Sequence, residues 1–173
     1  LYTYGFISNQ EEIMRFEAQY PFDGSNYINA DIFLNNFPSS ILDALIKPIS
    51  NFSGNVNGNI AMNGLINNYN LLGKLKTNDL SFNLPYLKQT YFNNIDTLET
   101  IFTNDSIIIQ DFTLYDNKYN TEAVFSGNMK HIALKDMVYQ LFIQTDSLFV
   151  LNTSELDNEN YYGKGFLGGS MMI

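Results

Sequence analysis

Three glycines near the end of the chain match the spacing of a dinucleotide-binding motif. Gly163, Gly165 and Gly168 stand in the order G-x-G-x-x-G. In that motif a strand precedes the glycines and a helix follows them, so that the helix N-terminus meets a pyrophosphate. Here an alternating, strand-like pattern continues to Ile173. We therefore interpret the motif as a glycine-rich strand on which another backbone or side chain packs closely.

His131 is the only histidine of a chain that has no cysteine. One imidazole is too few for a histidine-rich metal site, and thiolate ligands, disulfides and a cysteine nucleophile are excluded. A Ser-His-Asp hydrolase would need His131 beside a nucleophile elbow such as G-x-S-x-G, and the sequence has no such motif. We interpret His131 as a strand residue with a structural hydrogen bond, and we identify no catalytic residue.

An acidic cluster near the C-terminus consists of Glu155, Asp157 and Glu159, with Asn158 and Asn160 among them. Such oxygen ligands suit calcium. Their spacing does not match the EF-hand loop, and a solvated loop explains them equally well. We favour the loop and expect no metal and no other cofactor.

Charge and hydropathy limit the partners of the chain. It carries 9 Lys and Arg against 18 Asp and Glu, a formal net charge of −9. Nucleic acid is a poor partner because phosphate binding needs clustered cations, and electrostatic attraction to an anionic membrane is equally disfavoured. No run approaches the roughly 18 apolar residues that a membrane-spanning helix requires. The first residue is Leu1, so we expect residues 1–173 to be a single section of a longer protein.

Alternation of apolar and polar residues dominates the chain from residue 27 onward. Over 27–34 and 55–64 the apolar residues fall on one side and most asparagines on the other. The apolar side carries Ile28, Ala30, Ile32, Leu34, Val56, Ile60 and Met62. Strands with this pattern have one wet face and one dry face.

Further alternating segments cover 71–76, 80–84, 95–102, 107–114, 121–130, 137–144, 148–151 and 161–173. Asparagine, aspartate and glycine recur between them, as turn residues do. Phe and Tyr make up 15% of the chain, and aromatic residues suit pleated sheets. We predict an all-β fold built as a meander of hairpins.

One segment has helical spacing instead. Its apolar stripe consists of Ile41, Leu42, Leu45 and Ile46. Ser39 or Ser40 can cap its start and Pro48 ends it, which predicts a single short helix over 39–47, packed across one end of the sheet. The first 15 residues are weakly patterned, and 9–15 fit either a turn or a second short helix.

The apolar strand faces have two interpretations that alternation alone does not separate. They form either the closed, dry core of a sandwich or the floor of an open groove that stays available to a ligand. Both structures need the same pattern of residues.

Three stretches resemble the C-terminal region of TamB-like translocation and assembly modules of the Bacteroidetes type. The first, 30–82, has Phe37-Pro38, the helical segment and then glycines at 54, 58, 64 and 73. The second begins with Phe125-Ser126-Gly127-Asn128 and leads into the strand that ends at Ile143. The third runs from Val150-Leu151-Asn152-Thr153 to Gly163, Gly165 and Gly168. Their order and spacing carry the resemblance, which covers most of the chain from about residue 27.

The resemblance implies a fold and a location. TamB-like proteins belong with the AsmA-like and bridge-like lipid transfer proteins, which are not enzymes. Their long antiparallel sheet curls into an elongated, open U-shaped groove, the β-taco. The parent protein would lie in the periplasm of a Gram-negative bacterium, anchored in the inner membrane by a segment outside this chain. Its expected partner is an outer-membrane barrel of the TamA or BamA kind.

The resemblance also implies a function, the transfer of phospholipid between the inner and outer membranes in support of outer-membrane biogenesis. The acyl chains would lie along the apolar face. We predict that its lining consists of Ile28, Ile32, Val56, Ile60, Met62, Leu80, Phe82, Phe125 and Leu141. One alternative is a chaperone-like scaffold whose strand edges assist barrel assembly and protein secretion. Another is a surface adhesin or glycan-binding sandwich, which a closed, dry core would favour.

Overall fold

A computed structural model describes residues 1–9, 11–20, 24, 26–44, 49–93, 95–157 and 159–173. The described chain is all-β, with one antiparallel sheet of eleven strands, so the predicted fold class is confirmed. The strands are β1 (Tyr2–Asn9), β2 (Glu11–Gln19), β3 (Tyr27–Pro38), β4 (Ser50–Leu65), β5 (Asn68–Leu84), β6 (Gln89–Asn93), β7 (Leu98–Phe102), β8 (Ser106–Asp116), β9 (Thr121–Ile132), β10 (Lys135–Thr153) and β11 (Gly163–Met172).

Strand order in the sheet follows the chain closely, as in a meander. The order is β1-β2-β3-β4-β5-β6-β8-β9-β10-β11. Both β6 and β7 pair with β5 and with β8, at different places along these two long strands. β6 and β7 therefore occupy successive parts of the space between β5 and β8. Local hairpins of this kind bring apolar residues of consecutive strands onto a shared face.

Pairing register defines two faces of the sheet. We call inner the face that carries the buried core residues Tyr91, Leu114, Ala123 and Leu148. The apolar residues predicted for 27–34 and 55–64 lie together on this face, because Ile32 is opposite Ile60 and Ala30 is opposite Met62. The outer face of the same strands carries asparagines. The period-two pattern therefore predicted both faces correctly here.

Two of the observed strands each contain two segments that the sequence pattern predicted as separate strands, because strand pairing is irregular there. Predicted segments 71–76 and 80–84 belong to one strand, β5, whose pairing with β4 shifts register between Asn55 and Ser53. Segments 137–144 and 148–151 likewise belong to β10, which shifts register against β9 between Gln144 and Ser147. A bulge inserts an extra residue and bends the strand, so the alternation slips while the strand continues.

The N-terminal prediction was wrong. Residues that fitted a turn or short helix over 9–15 form the end of β1 and much of β2, with residue 10 outside the described residues. Met14, Phe16 and Ala18 alternate with polar neighbours in β2 and pair with apolar residues of β3. The charged residues Arg15 and Glu17 lie between these apolar residues, and the alternating pattern was not recognised as that of a strand.

The predicted helix is present as a 3-10 helix over Ser39–Ala44, while the remaining predicted positions, 45–47, lie outside the described residues. Ser39 is fully buried, and its hydroxyl has no hydrogen-bond partner among the described residues, so it does not cap the helix. Asp43 instead anchors the segment, since its Oδ1 accepts a hydrogen bond from the Phe52 N–H at 2.9 Å. A second 3-10 helix, Pro85–Leu87, links β5 to β6.

Candidate apolar groove

Four neighbouring strands present apolar side chains in rows across the inner face. Phe16 of β2 is opposite Ile32 of β3, and Ile32 is opposite Ile60 of β4. Side chains directly opposite on one face of a sheet contact each other, so these residues form one row. Ile60 is opposite Gly73 of β5, which has no side chain to fill the space above it.

A parallel row lies beside the first. Ala18, Ala30, Met62 and Leu71 are successive partners across β2, β3, β4 and β5. Ala30 and Leu71 are buried, whereas Ile32, Ile60 and Met62 keep part of their surface in solvent. An apolar surface that its own protein leaves partly exposed is a candidate for ligand contact.

Charged groups of these strands lie on the opposite, outer face. Arg15 pairs with Glu17 on β2 at 3.2 Å, and Lys74 of β5 pairs with Glu99 of β7. Arg15 also lies over the ring of Phe33, 4.3 Å from its centroid. These positions alternate with the inner-facing Phe16 and Gly73, so the inner rows themselves carry no charge.

Protein side chains fill the inner face farther along the sheet. The rings of Phe52 and Phe82 lie 5.8 Å apart, and those of Phe82 and Tyr91 lie 6.0 Å apart. Phe125 and Phe112 stack at 5.8 Å and pack against the core residues. The inner face is therefore closed around the core residues of β6 and β8–β10 and the adjoining ends of β4 and β5, and it is partly open around Ile32, Ile60 and Met62.

A hydrogen bond crosses the closed part. The Tyr91 hydroxyl donates to the main-chain oxygen of Phe149 at 2.8 Å. Burial, together with the nearby Asp116 carboxylate, raises the pKa of Tyr91 to about 12. Asp116 is itself buried, and its Oδ2 accepts a hydrogen bond from the Tyr119 N–H at 2.7 Å. This end of the sheet thus has a fixed polar link within an apolar core.

The nine predicted lining residues all lie on the inner face but in different surroundings. Ile28, Ile32, Ile60 and Met62 line the partly open region over β3 and β4. Val56 and Leu80 are buried. Phe82 and Phe125 pack against the core, and Leu141 is partly exposed opposite Gly127 of β9.

Sequence reasoning missed several inner-face residues. Met14 and Phe16 lie beside the predicted lining, but their strand was not recognised. Leu71 and Leu75 of β5 face the same way, opposite Met62 and Gly58. The alternation in β2 was the signal that could have found the first pair.

The histidine and the glycine motif singled out in the sequence both have structural roles. His131 is buried, and its Nδ1 accepts a hydrogen bond from the Leu134 N–H at 3.3 Å, as the structural interpretation predicted. The Gly163 motif lies on β11 as a strand; a Cβ on Gly165 would lie 3.1 Å from the Cβ of Leu151. That close approach confirms the glycine-rich strand.

The acidic segment forms a turn over 155–157, while residue 158 lies outside the described residues. Asp157 accepts hydrogen bonds from the N–H and the hydroxyl of Ser154, at 2.8 and 2.7 Å, and pairs with Lys88 at 3.1 Å. These bonds, with Ser154 first, lower the pKa of Asp157 to about 2. Among the described residues no group of three or more His, Asp or Glu is placed to hold a metal ion.

Comparison with known proteins found no matching family model, curated protein or solved structure. Nor does the described part of the chain include a helix with the length and apolar character needed to cross a membrane.

Proposed function

We propose that this chain is a section of a lipid-transfer groove, in which the inner face over β2–β5 holds the acyl chain of a phospholipid. The observation that supports this most directly is the uncharged, partly exposed apolar surface around Ile32, Ile60 and Met62. The charged residues of the same strands lie on the other face.

The energetics favour such a surface. Exposing a tail of about sixteen carbons to water costs on the order of 10 kcal/mol, at roughly 0.8 kcal/mol per CH₂. A continuous apolar floor removes most of that barrier while the head group stays in water. Weak, repeated contacts suit movement along the floor better than one deep pocket.

The closed end of the sheet refines the proposal. Tyr91, Phe82 and Phe125 lie where protein already fills the inner face, so a tail would lie over β2–β5 and stop at this core. Of the nine predicted lining residues, Ile28, Ile32, Ile60 and Met62 are then the ones in position to contact it.

The wider role rests on the resemblance to TamB-like proteins. On that basis we propose that the parent protein carries phospholipid through the periplasm between the two membranes, with an outer-membrane barrel of the TamA or BamA kind as its partner.

The test introduces a charged side chain into the apolar inner face. Ile60→Arg should abolish photocrosslinking of a diazirine-labelled phospholipid and remove copurified lipid from the organic extract measured by mass spectrometry. Ala61→Arg is the matched control, because Ala61 is the next residue, faces outward and lies opposite Asp31. If Ile60→Arg folds and still crosslinks as the control does, the lipid groove is wrong.

A second candidate function is supported by the sheet edges. In the described structure β1 pairs only with β2, and β11 pairs only with β10, so each leaves a row of main-chain groups unpaired. Such edges can accept a further strand. A chaperone-like scaffold for barrel strands would bind an unfolded outer-membrane barrel peptide and would be indifferent to Ile60→Arg.

A further inference from the structure

We propose that the outer face of β1–β5 carries a second binding site, which takes a neutral glycan chain. The site combines a stripe of exposed aromatic rings with a row of side-chain amides. It lies on the opposite side of the sheet from the apolar groove, and the proposal does not depend on lipid transfer.

The aromatic stripe consists of Tyr2, Tyr4 and Phe6, which alternate along β1 and therefore point to one face. They are 58%, 49% and 60% exposed. Their register partners Gln19, Glu17 and Arg15 place them on the outer face. Three consecutive aromatic rings left in water on one face are unusual for a folded domain.

The amide row lies across four strands at one end of this stripe. Starting from Tyr2, successive register partners are Gln19, Asn29, Asn63 and Asn70. Neighbouring strands are about 4.8 Å apart, so the amides recur at an interval close to the length of one sugar unit. An open depression of about 480 Å³ lies over this region, lined by Leu1, Tyr2, Gln19, Tyr20, Tyr27, Asn29 and Asn63, and the Leu1 amino group donates to the main-chain oxygen of Tyr20 at 2.6 Å.

Hydrogen bonds hold the amides in place. The Tyr27 hydroxyl donates to Oδ1 of Asn63 at 2.6 Å, and Nδ2 of Asn63 donates to Oδ1 of Asn29 at 3.2 Å. Each amide has two N–H donors and a carbonyl acceptor, so this relay orients the groups and leaves capacity for the hydroxyls of a ligand. Alternating donors and acceptors next to aromatic faces match a sugar, which has hydroxyls at its rim and C–H groups on its faces.

Charge selects a neutral rather than an acidic glycan. The amide row has no charged member, and the neighbouring row runs from Tyr4 through Glu17 to Asp31. Glu17 is paired with Arg15, so Asp31 and the net charge of −9 are what would repel uronic or sulfated sugars.

The experiment titrates the full chain with cellohexaose, maltohexaose and chitohexaose, followed by calorimetry and by NMR of the backbone amides. We expect at least one hexasaccharide to bind saturably, with Kd below about 10 mM. The shifted amide signals should cluster at 2–6, 17–19, 27–31 and 61–63. Failure of all three sugars to bind, or shifts centred on the inner core, would overturn the proposal.

Variants on two different strands locate the site. Tyr2→Ala combined with Tyr4→Ala should weaken binding at least about tenfold, and Asn63→Leu should do the same from β4. Tyr86→Ala is the matched control, since Tyr86 is 72% exposed in the link between β5 and β6. Equal loss in the control would show that any exposed ring suffices and would refute the site. Ile60→Arg should leave glycan binding unchanged, which separates this proposal from the groove.

Discussion

The Tyr91 hydroxyl donates a hydrogen bond to the main-chain oxygen of Phe149 at 2.8 Å, and this bond joins β6 to β10 across the inner face of the sheet. The two strands are three places apart in the sheet order, with β8 and β9 between them. The sheet must therefore curl sharply at this end. The bond lies within the closed core of the inner face, beside Leu114 and Leu148.

Removing the Tyr91 hydroxyl should loosen this closure. Tyr91→Phe keeps the ring but leaves the buried Phe149 carbonyl without its partner, which costs about 1–2 kcal/mol of unfolding free energy. Urea denaturation followed by circular dichroism measures the loss. Tyr86→Phe, at an exposed tyrosine, should change the unfolding free energy by less than about 0.5 kcal/mol. Equal stabilities for the two variants would mean that the bond does not hold the curl.

The same tyrosine makes stability depend on alkaline pH. The pKa of Tyr91 is about 12 in the folded chain and about 10 when unfolded, so folding favours the neutral phenol. Its contribution, on the order of 2 kcal/mol, is fully present below pH 10 and is lost as the pH rises from 10 through 12. The difference in unfolding free energy between the wild type and Tyr91→Phe, measured at several pH values in that window, isolates it from the other tyrosines. A difference that stays constant with pH would contradict the prediction.

The alternation of apolar and polar residues predicted the two faces of the sheet, because the face to which a side chain points depends only on its position along its own strand. In β3 and β4 each side chain follows directly from its place in the pleat, so Ile32 and Ile60 could be assigned to one face before any pairing was known. All nine predicted lining residues share the inner face for this reason.

Burial could not be predicted in the same way, because it depends on contacts between residues far apart in the chain. Leu80 and Ile60 have the same alternating signature, yet one is buried and the other partly exposed. The hydrogen bond between Tyr91 and the main-chain oxygen of Phe149, 58 residues away in sequence, is a contact of this kind. Register shifts within β5 and β10 also interrupt the alternation, and each of these strands was therefore predicted as two shorter ones.

Gly73 should tolerate no side chain. A Cβ at this position would lie within van der Waals overlap of the main-chain oxygen of Asn59 on the paired strand β4, where no flexible side chain can move aside. Gly73→Ala should therefore destabilise the chain by about 2–4 kcal/mol and separate β4 from β5 locally. Urea denaturation and amide hydrogen exchange of 58–62 would detect both effects.

Gly5 is the matched control for this substitution. It also lies in a strand, β1, but nothing lies within 4 Å of a Cβ built there. Gly5→Ala should be neutral or stabilising by up to about 1 kcal/mol, because alanine restricts the unfolded chain more than glycine does. If Gly5→Ala destabilises as much as Gly73→Ala, the close approach of the β4 backbone is not the cause.

The turn after β10 should resist acid. Hydrogen bonds from Ser154, and then the ion pair with Lys88, hold the pKa of Asp157 at about 2, below its usual 3.8. The stabilisation of the turn by the ionised carboxylate is fully present above pH 3.8 and is lost as the pH falls through about 2. An NMR titration of the Asp157 carboxyl carbon should show that low midpoint, and Ser154→Ala should move it upward toward 3.8. In Asp157→Asn the amide signal of Ser154 should no longer titrate in this window, and a wild-type midpoint near 3.8 would show that the hydrogen bonds do not persist in solution.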